Sequence, residues 1–135
     1  VTALAVDVTA LLLTGLRTQL GIGVRFGTET PKDLETAGPI VQVVRAGGGD
    51  DGIILDTATI VLDCFAAKSA TEPASVVSRE LAYSVVAAMY ALRGQVINGG
   101  VITRVQKIGG PVPLPYDNVA VRRQALTFQV AVKSV

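Results

Sequence analysis

The chain has 135 residues, an ordinary length for one domain, and is 50% hydrophobic but only 4% aromatic. It contains no histidine and one cysteine, Cys64, which excludes a disulfide framework and a Cys-rich zinc site and removes the commonest general base. Twelve basic and eleven acidic residues leave a net charge of +1, so there is no electrostatic footprint for sequence-independent nucleic-acid binding.

The core must therefore be built from Val, Leu, Ile and Ala, which suits helices laid on a sheet better than a deep ligand cavity with aromatic walls. No run of about 18 uncharged apolar residues occurs, so no membrane-spanning helix is expected. The opening VTALAVDVTALLLTGL is apolar but carries Asp7 and lacks a basic leader, and it reads as a helix. Asp7 can cap that helix, Val8, Leu12, Leu16 and Leu20 recur at helical spacing, and Gly21 stands where a C-terminal cap belongs. Gly15 in the interior costs about 1 kcal/mol against alanine, so the helix needs docking to be stable.

Residues 22–28 read as a short strand and 29–38 as a polar link. The β-branched run at 40–45 reads as a strand. Residues 46–52, AGGGDDG, read as a flexible connection. From 54 to 65 a second strand alternates, with Ala58, Ile60, Leu62 and Cys64 on one face and Thr57, Thr59 and Asp63 on the other. The two strands form a hairpin with a long tip. A second helix of about 20 residues follows, with Pro73 at its first position and Thr71 or Glu72 as cap. Its apolar stripe is Val77, Leu81, Val85, Ala88, Met89 and Leu92, and Gly94 ends it. Strands are expected at 101–108 and 121–132, the latter with Leu126, Phe128, Val130 and Val132 on one face. The order α-β-β-β-α-β-β predicts an α+β fold, a mainly antiparallel sheet with two helices packed on it, as one domain over residues 1–135.

Few residues in this chain carry chemistry. The segment 21–27, GIGVRFG, has Phe26 where a dinucleotide fingerprint needs its third glycine, and it follows a helix instead of opening one; a helix-to-strand turn is the simpler reading. The 47–52 tip could offer Asp50 and Asp51, with Asp56, to a hard cation, but it lacks the alternating spacing of a ligand loop. It reads as a solvated tip or as one that orders against a partner. Cys64 lies on the predicted core face with no histidine to activate it. Asp63 and Glu80 are expected to be exposed carboxylates. In 111–118, PVPLPYDN, alternating prolines hold the backbone extended, Tyr116 offers an amphipathic anchor, and Asp117 and Asn118 favour a turn. That segment either docks a partner or folds stiffly over its own sheet. Arg122 and Arg123, adjacent in a strand, leave by opposite faces, and one near the core would need a carboxylate partner, unless it reaches a neighbouring subunit or solvent.

Residues 55–67 (LDTATIVLDCFAA), 99–105 (GGVITRV) and 110–123 (GPVPLPYDNVAVRR) give the chain its family likeness. It resembles the tail terminator proteins of long-tailed bacteriophages, especially those infecting actinobacteria. The resemblance implies a non-enzymatic virion protein without cofactors, assembled in the host cytoplasm and placed at the head-proximal end of the tail. Copies would form a six-membered ring that caps the tail tube, ends its polymerisation and receives the head connector, while DNA passes through the lumen. Itself, the tail tube protein and the connector would be its partners. On this resemblance Arg104, Pro113, Pro115, Tyr116, Asp117, Asn118, Arg122 and Arg123 are expected at subunit or connector contacts, and Gly48, Asp50 and Asp51 at the tube or lumen. Another head-tail joining or tube-type protein of the same fold is the alternative, and a small enzyme or ligand-binding domain is a more distant one.

Overall fold

The computed structural model describes residues 6–29, 38–50, 55–115 and 120–135, apart from the side chains of Ile22 and Asp50. Helix α1 spans Val8–Leu20. The Asp7 carboxylate accepts the Ala10 amide at 3.1 Å, satisfying one of the donors a helix start leaves open. Val8, Leu11, Leu12, Gly15 and Leu16 face inward. Gly21, at φ +74°, ends the helix, and Gly21–Gly23 turn as a 3-10 segment. The strand expected at 22–28 is therefore shorter, β1 at Arg25–Gly27, because its first residues are spent on that turn.

Strands β2 (Ile40–Asp50) and β3 (Leu55–Ala67) come next. Helix α2 (Ala74–Ala91) follows, then β4 (Val96–Ile97), β5 (Gly100–Leu114) and β6 (Val121–Ser134). The order is the expected one with the two-residue β4 added. The sheet order is β1-β2-β3-β6-β5-β4; β1 and β2 are parallel and all other pairs antiparallel. One face of the sheet carries the core. Val41 and Val43, then Ala58, Ile60, Leu62 and Cys64, then Leu126, Phe128, Val130 and Val132 alternate toward the helices and are buried. Helix α2 lies across β3, β6 and β5, and α1 packs on α2 and the β1–β2 side.

The cap of α2 differs from expectation. Pro73 is the capping residue itself, and the Thr71 and Glu72 amides donate instead to the Ser69 hydroxyl in the preceding turn. The expected stripe is buried at Leu81, Val85, Ala88, Met89 and Leu92, joined by Ser78 and Ala82, with Val77 half-buried.

Two segments expected outside strands belong to them. The β2–β3 ladder runs through Gly47, Gly48 and Gly49 to Asp50↔Asp56, with a bulge between Arg45 and Gly47. The 46–52 connection expected to be flexible is thus strand as far as Asp50; residues 51 and 52 lie outside the described residues. Gly48 sits at φ +101°, and a Cβ there would run into the Thr57 carbonyl oxygen. Glycine serves close approach here, not looseness. Likewise β5 continues past residue 108 into the proline segment, pairing Val112↔Ala125, Pro113↔Gln124 and Leu114↔Arg123 after irregularities around Gly109. Proline is tolerated because, among the described residues, β4 covers only the start of β5 and the rest is an edge.

Candidate interaction surface of the open sheet face and its flanks

The face away from the helices carries Thr57, Thr59, Val61, Asp63 and Phe65 of β3 beside Arg123, Ala125, Thr127, Gln129 and Ala131 of β6. No helix covers it among the described residues. At one end Arg123 grips Asp63 with two parallel bonds, Nε to Oδ1 and Nη2 to Oδ2, both 2.9 Å. Register explains the reach: Arg123 pairs with Phe65, and Asp63 is two residues along β3 on the same face. The guanidinium also stands 5.8 Å over the Phe65 ring. Phe65, Ile40 and Val121 form a second small apolar cluster around this pair. Asp63, expected to be exposed, is only 6% exposed, a correction whose cause is this clamp.

Along the same face Arg104 donates to the Gln106 side chain, and the Thr103 hydroxyl donates to the Ala131 carbonyl. Arg104 sits opposite Ala131, far along β5 from Pro113, which faces Gln124. Arg122 is exposed and leaves by the face opposite Arg123, as alternation requires. Pro115 ends the described part of this segment in an exposed position; Tyr116, Asp117 and Asn118 lie outside the described residues. Gly48 belongs to β2 and lies across the sheet from Arg104, and Asp50 ends the same strand. Asp51 is outside the described residues. The predicted residues therefore occupy three places: the Arg123 end, the β5 flank and the β2 flank.

The carboxylate considered as a third cation ligand, Asp56, is held by Arg45 at 2.7 and 2.6 Å, and the same arginine also donates to the Gly47 carbonyl. Among the described residues no three His, Cys, Asp or Glu side chains gather as a metal-ligand set. Cys64 is buried on the helix side; burial first, then the Asp63 charge, pushes its thiol up to about 12. Asp63 and Glu80 are separated by the sheet, since Glu80 belongs to the helix layer. A shallow depression between α1 and α2, lined by Gln19, Leu20, Ser84, Ala87, Ala88 and Ala91, holds no titratable group, and the Ser84 hydroxyl donates to the Glu80 carbonyl.

Sequence reasoning missed Asp63 and Phe65 as the partners of Arg123. A carboxylate inside the apolar run Val61-Leu62-Asp63-Cys64-Phe65 was the available signal, since such a group survives burial only when paired. It also missed the exposed apolar residues of the β5 flank, Ile108, Val112 and Leu114.

No protein-family profile matches the chain, and no curated protein sequence matches it. Its fold is similar to that of a chain in a solved structure described as the virion of a native gene transfer agent (GTA) particle. The TM-score is 0.56 at 17% identity, over 93% of this chain and 94% of that one. At that identity the likeness is one of fold.

Proposed function

We propose that this chain is a virion structural protein whose copies close into a ring at the head-proximal end of a phage tail. The observation that carries the virion part is the fold likeness to a virion chain over nearly the whole length of both. The tail-terminator part rests on the resemblance carried by residues 55–67, 99–105 and 110–123. In this reading the ring caps the tube, halts its polymerisation, offers a surface to the head connector and leaves a lumen for DNA. Its work is steric, without catalysis or cofactor. The buried, fully protonated Cys64 and the lack of histidine are consistent with that.

The physical features suit such a part. Among the described residues one sheet face is free of helices, its rim carries unburied apolar side chains, and Arg123 and Arg45 are clamped within the subunit. The end of the β2–β3 hairpin, with Gly48, Asp50 and Asp51, is assigned to the tube or lumen, its carboxylates repelling DNA phosphate. Arg104, Arg122 and the 111–118 segment are assigned to subunit and connector contacts.

Electron microscopy of tails assembled with and without the protein tests this. Overlong tails of mixed length in its absence, and uniform capped tails in its presence, are expected. Tails of unchanged length would overturn the capping role. A continuous tube grown from the purified protein would instead identify a tube-type subunit.

A further inference from the structure

Helix α2 buries one side against the sheet and leaves a regular stripe on another. Arg79, Tyr83, Val86, Tyr90 and Arg93 follow at intervals of 4, 3, 4 and 3 residues, the last of them just past the helix end. That spacing keeps them on one line along the helix. Tyr83 is 56% and Tyr90 45% exposed, with Val86 half-buried between them. Monomeric surfaces tolerate scattered apolar residues; large ones lined up on one stripe mark a contact.

Strand β5 forms the second wall of this stripe. The Lys107 amide donates to the Tyr90 hydroxyl at 3.1 Å, and the Gly94 amide donates to the Ile102 carbonyl at 2.7 Å. Ile108, exposed as well, follows Lys107 on the same edge. The Tyr90 ring stands edge-on to Phe128 of the core, which fixes the stripe relative to the sheet. A surface held in place in this way loses little entropy when a partner docks.

The seam between α2 and β5 is basic at both ends and along its side. Arg79, Arg93 and Lys107 are exposed, and among the described residues no carboxylate pairs with any of them. The helix's own acid, Glu80, is the next residue after Arg79 and so lies about 100° round the helix from it.

We infer that this seam docks a helix of another protein that is apolar in its middle and acidic at both ends. Tyr83, Val86 and Ile108 receive the apolar side chains, and opposite charge at Arg79 and Arg93 sets the register. From Arg79 to Arg93 the span is about 21 Å, or about four helical turns, the length of a short helix laid along α2. The same seam of a second copy is a poor occupant. Turning one copy about Val86 sets Arg79 of one against Arg93 of the other at both ends, like charge on like. The seam belongs to the helix layer, so its occupancy is independent of whether copies close into a ring.

Two labelled synthetic helices test this, both with leucine at the central seam positions, one ended by glutamates and the other by lysines. Fluorescence anisotropy with the full chain at low ionic strength should show the glutamate-ended helix bound at least about tenfold more tightly than its twin. Arg79→Glu/Arg93→Glu should reverse that preference, and Tyr83→Ala should weaken the preferred helix about tenfold. Circular dichroism matching the parent shows that each variant is folded. Failure to bind either helix, equal binding of both, or a preference unchanged in Arg79→Glu/Arg93→Glu would each overturn the inference. So would a single-stranded oligothymidine that displaces the glutamate-ended helix, which would give the seam to nucleic acid. Self-association of the parent that Arg79→Glu/Arg93→Glu abolishes would overturn it too, giving the seam to a second copy. None of these outcomes bears on capping, which tail length alone decides.

Discussion

Arg123 and Asp63 are 60 residues apart in the chain, and nothing local in either sequence names the other. The strand alternation shows that one of two adjacent arginines must turn toward one sheet face. Only the β3–β6 register shows that Asp63 waits there, one diagonal away from Arg123. Replacing Arg123 with alanine strands a buried carboxylate, at a cost of about 1–3 kcal/mol after discounting for the partly exposed guanidinium. Arg122→Ala, exposed on the other face, should stay within about 0.5 kcal/mol. Urea unfolding of both variants checks this; equal losses would mean the clamp is not structural. Cys64, the neighbour of Asp63, gives a second residue-scale expectation. Its thiol titrates at 9.0 when unfolded and is pushed up to about 12 in the fold, so the unfolded chain holds fewer protons between those values. Stability is therefore unaffected below pH 9.0 and falls as pH rises through that window. Near neutral pH a thiol reagent should label Cys64 only after denaturant is added; rapid labelling of the native protein would contradict the buried placement.

Elements differ in how openly the sequence declares them, and the difference is physical. The first stretch of β2, β3, β6 and both helices follow clean periods of two or 3.6, since each buries one face in the same core. The glycines of β2 and the prolines of β5 break those periods, so they read as loops. Both lie at sheet edges, where a missing donor or side chain is tolerated and where close approach replaces side-chain packing. Gly48 and Gly110 make this measurable. Both have positive φ, and a Cβ would meet the carbonyl oxygen of Thr57 or Ala125 across the ladder. Alanine at either should cost about 1–3 kcal/mol or more, with the strain fixed by the neighbouring strand. Gly47, one residue away with open space around its Cβ position, should accept alanine within about 0.5 kcal/mol. If Gly47→Ala and Gly48→Ala proved equally mild in thermal unfolding, the ladder would end before Gly48 and the flexible-tip reading would return. The exposed apolar rim of β5 was illegible for the same reason: Val112 and Leu114 sit between prolines that hide the strand they belong to.

At the scale of the molecule, the two helices and the four main strands share one apolar cluster. Leu12 and Leu16 of α1 meet it from one side, Met89 and Leu92 of α2 from another, and Ile60, Leu62 and Phe128 form its floor. Helix α1 has little stability of its own: 13 residues is short for an isolated helix, and Gly15 weakens its middle. Gly15 instead lets α1 come close, since a Cβ there would approach Leu92 Cδ2 to 2.7 Å. Tyr90 of α2 packs edge-on against Phe128 at 5.9 Å, so the Tyr90 share of the tyrosine fluorescence, isolated in a Tyr83→Phe/Tyr116→Phe background, reports the helix-to-sheet contact. A truncation in α1 should thus be felt by the whole fold. Leu12→Ala should lower the stability of one shared transition by about 2–5 kcal/mol, with helical circular dichroism and tyrosine fluorescence falling together. Loss of helical signal at a denaturant concentration that leaves the fluorescence unchanged would show α1 peeling away alone. The ring proposed above requires the shared transition, because a helix free to detach would let the sheet change its twist and with it the fit between copies.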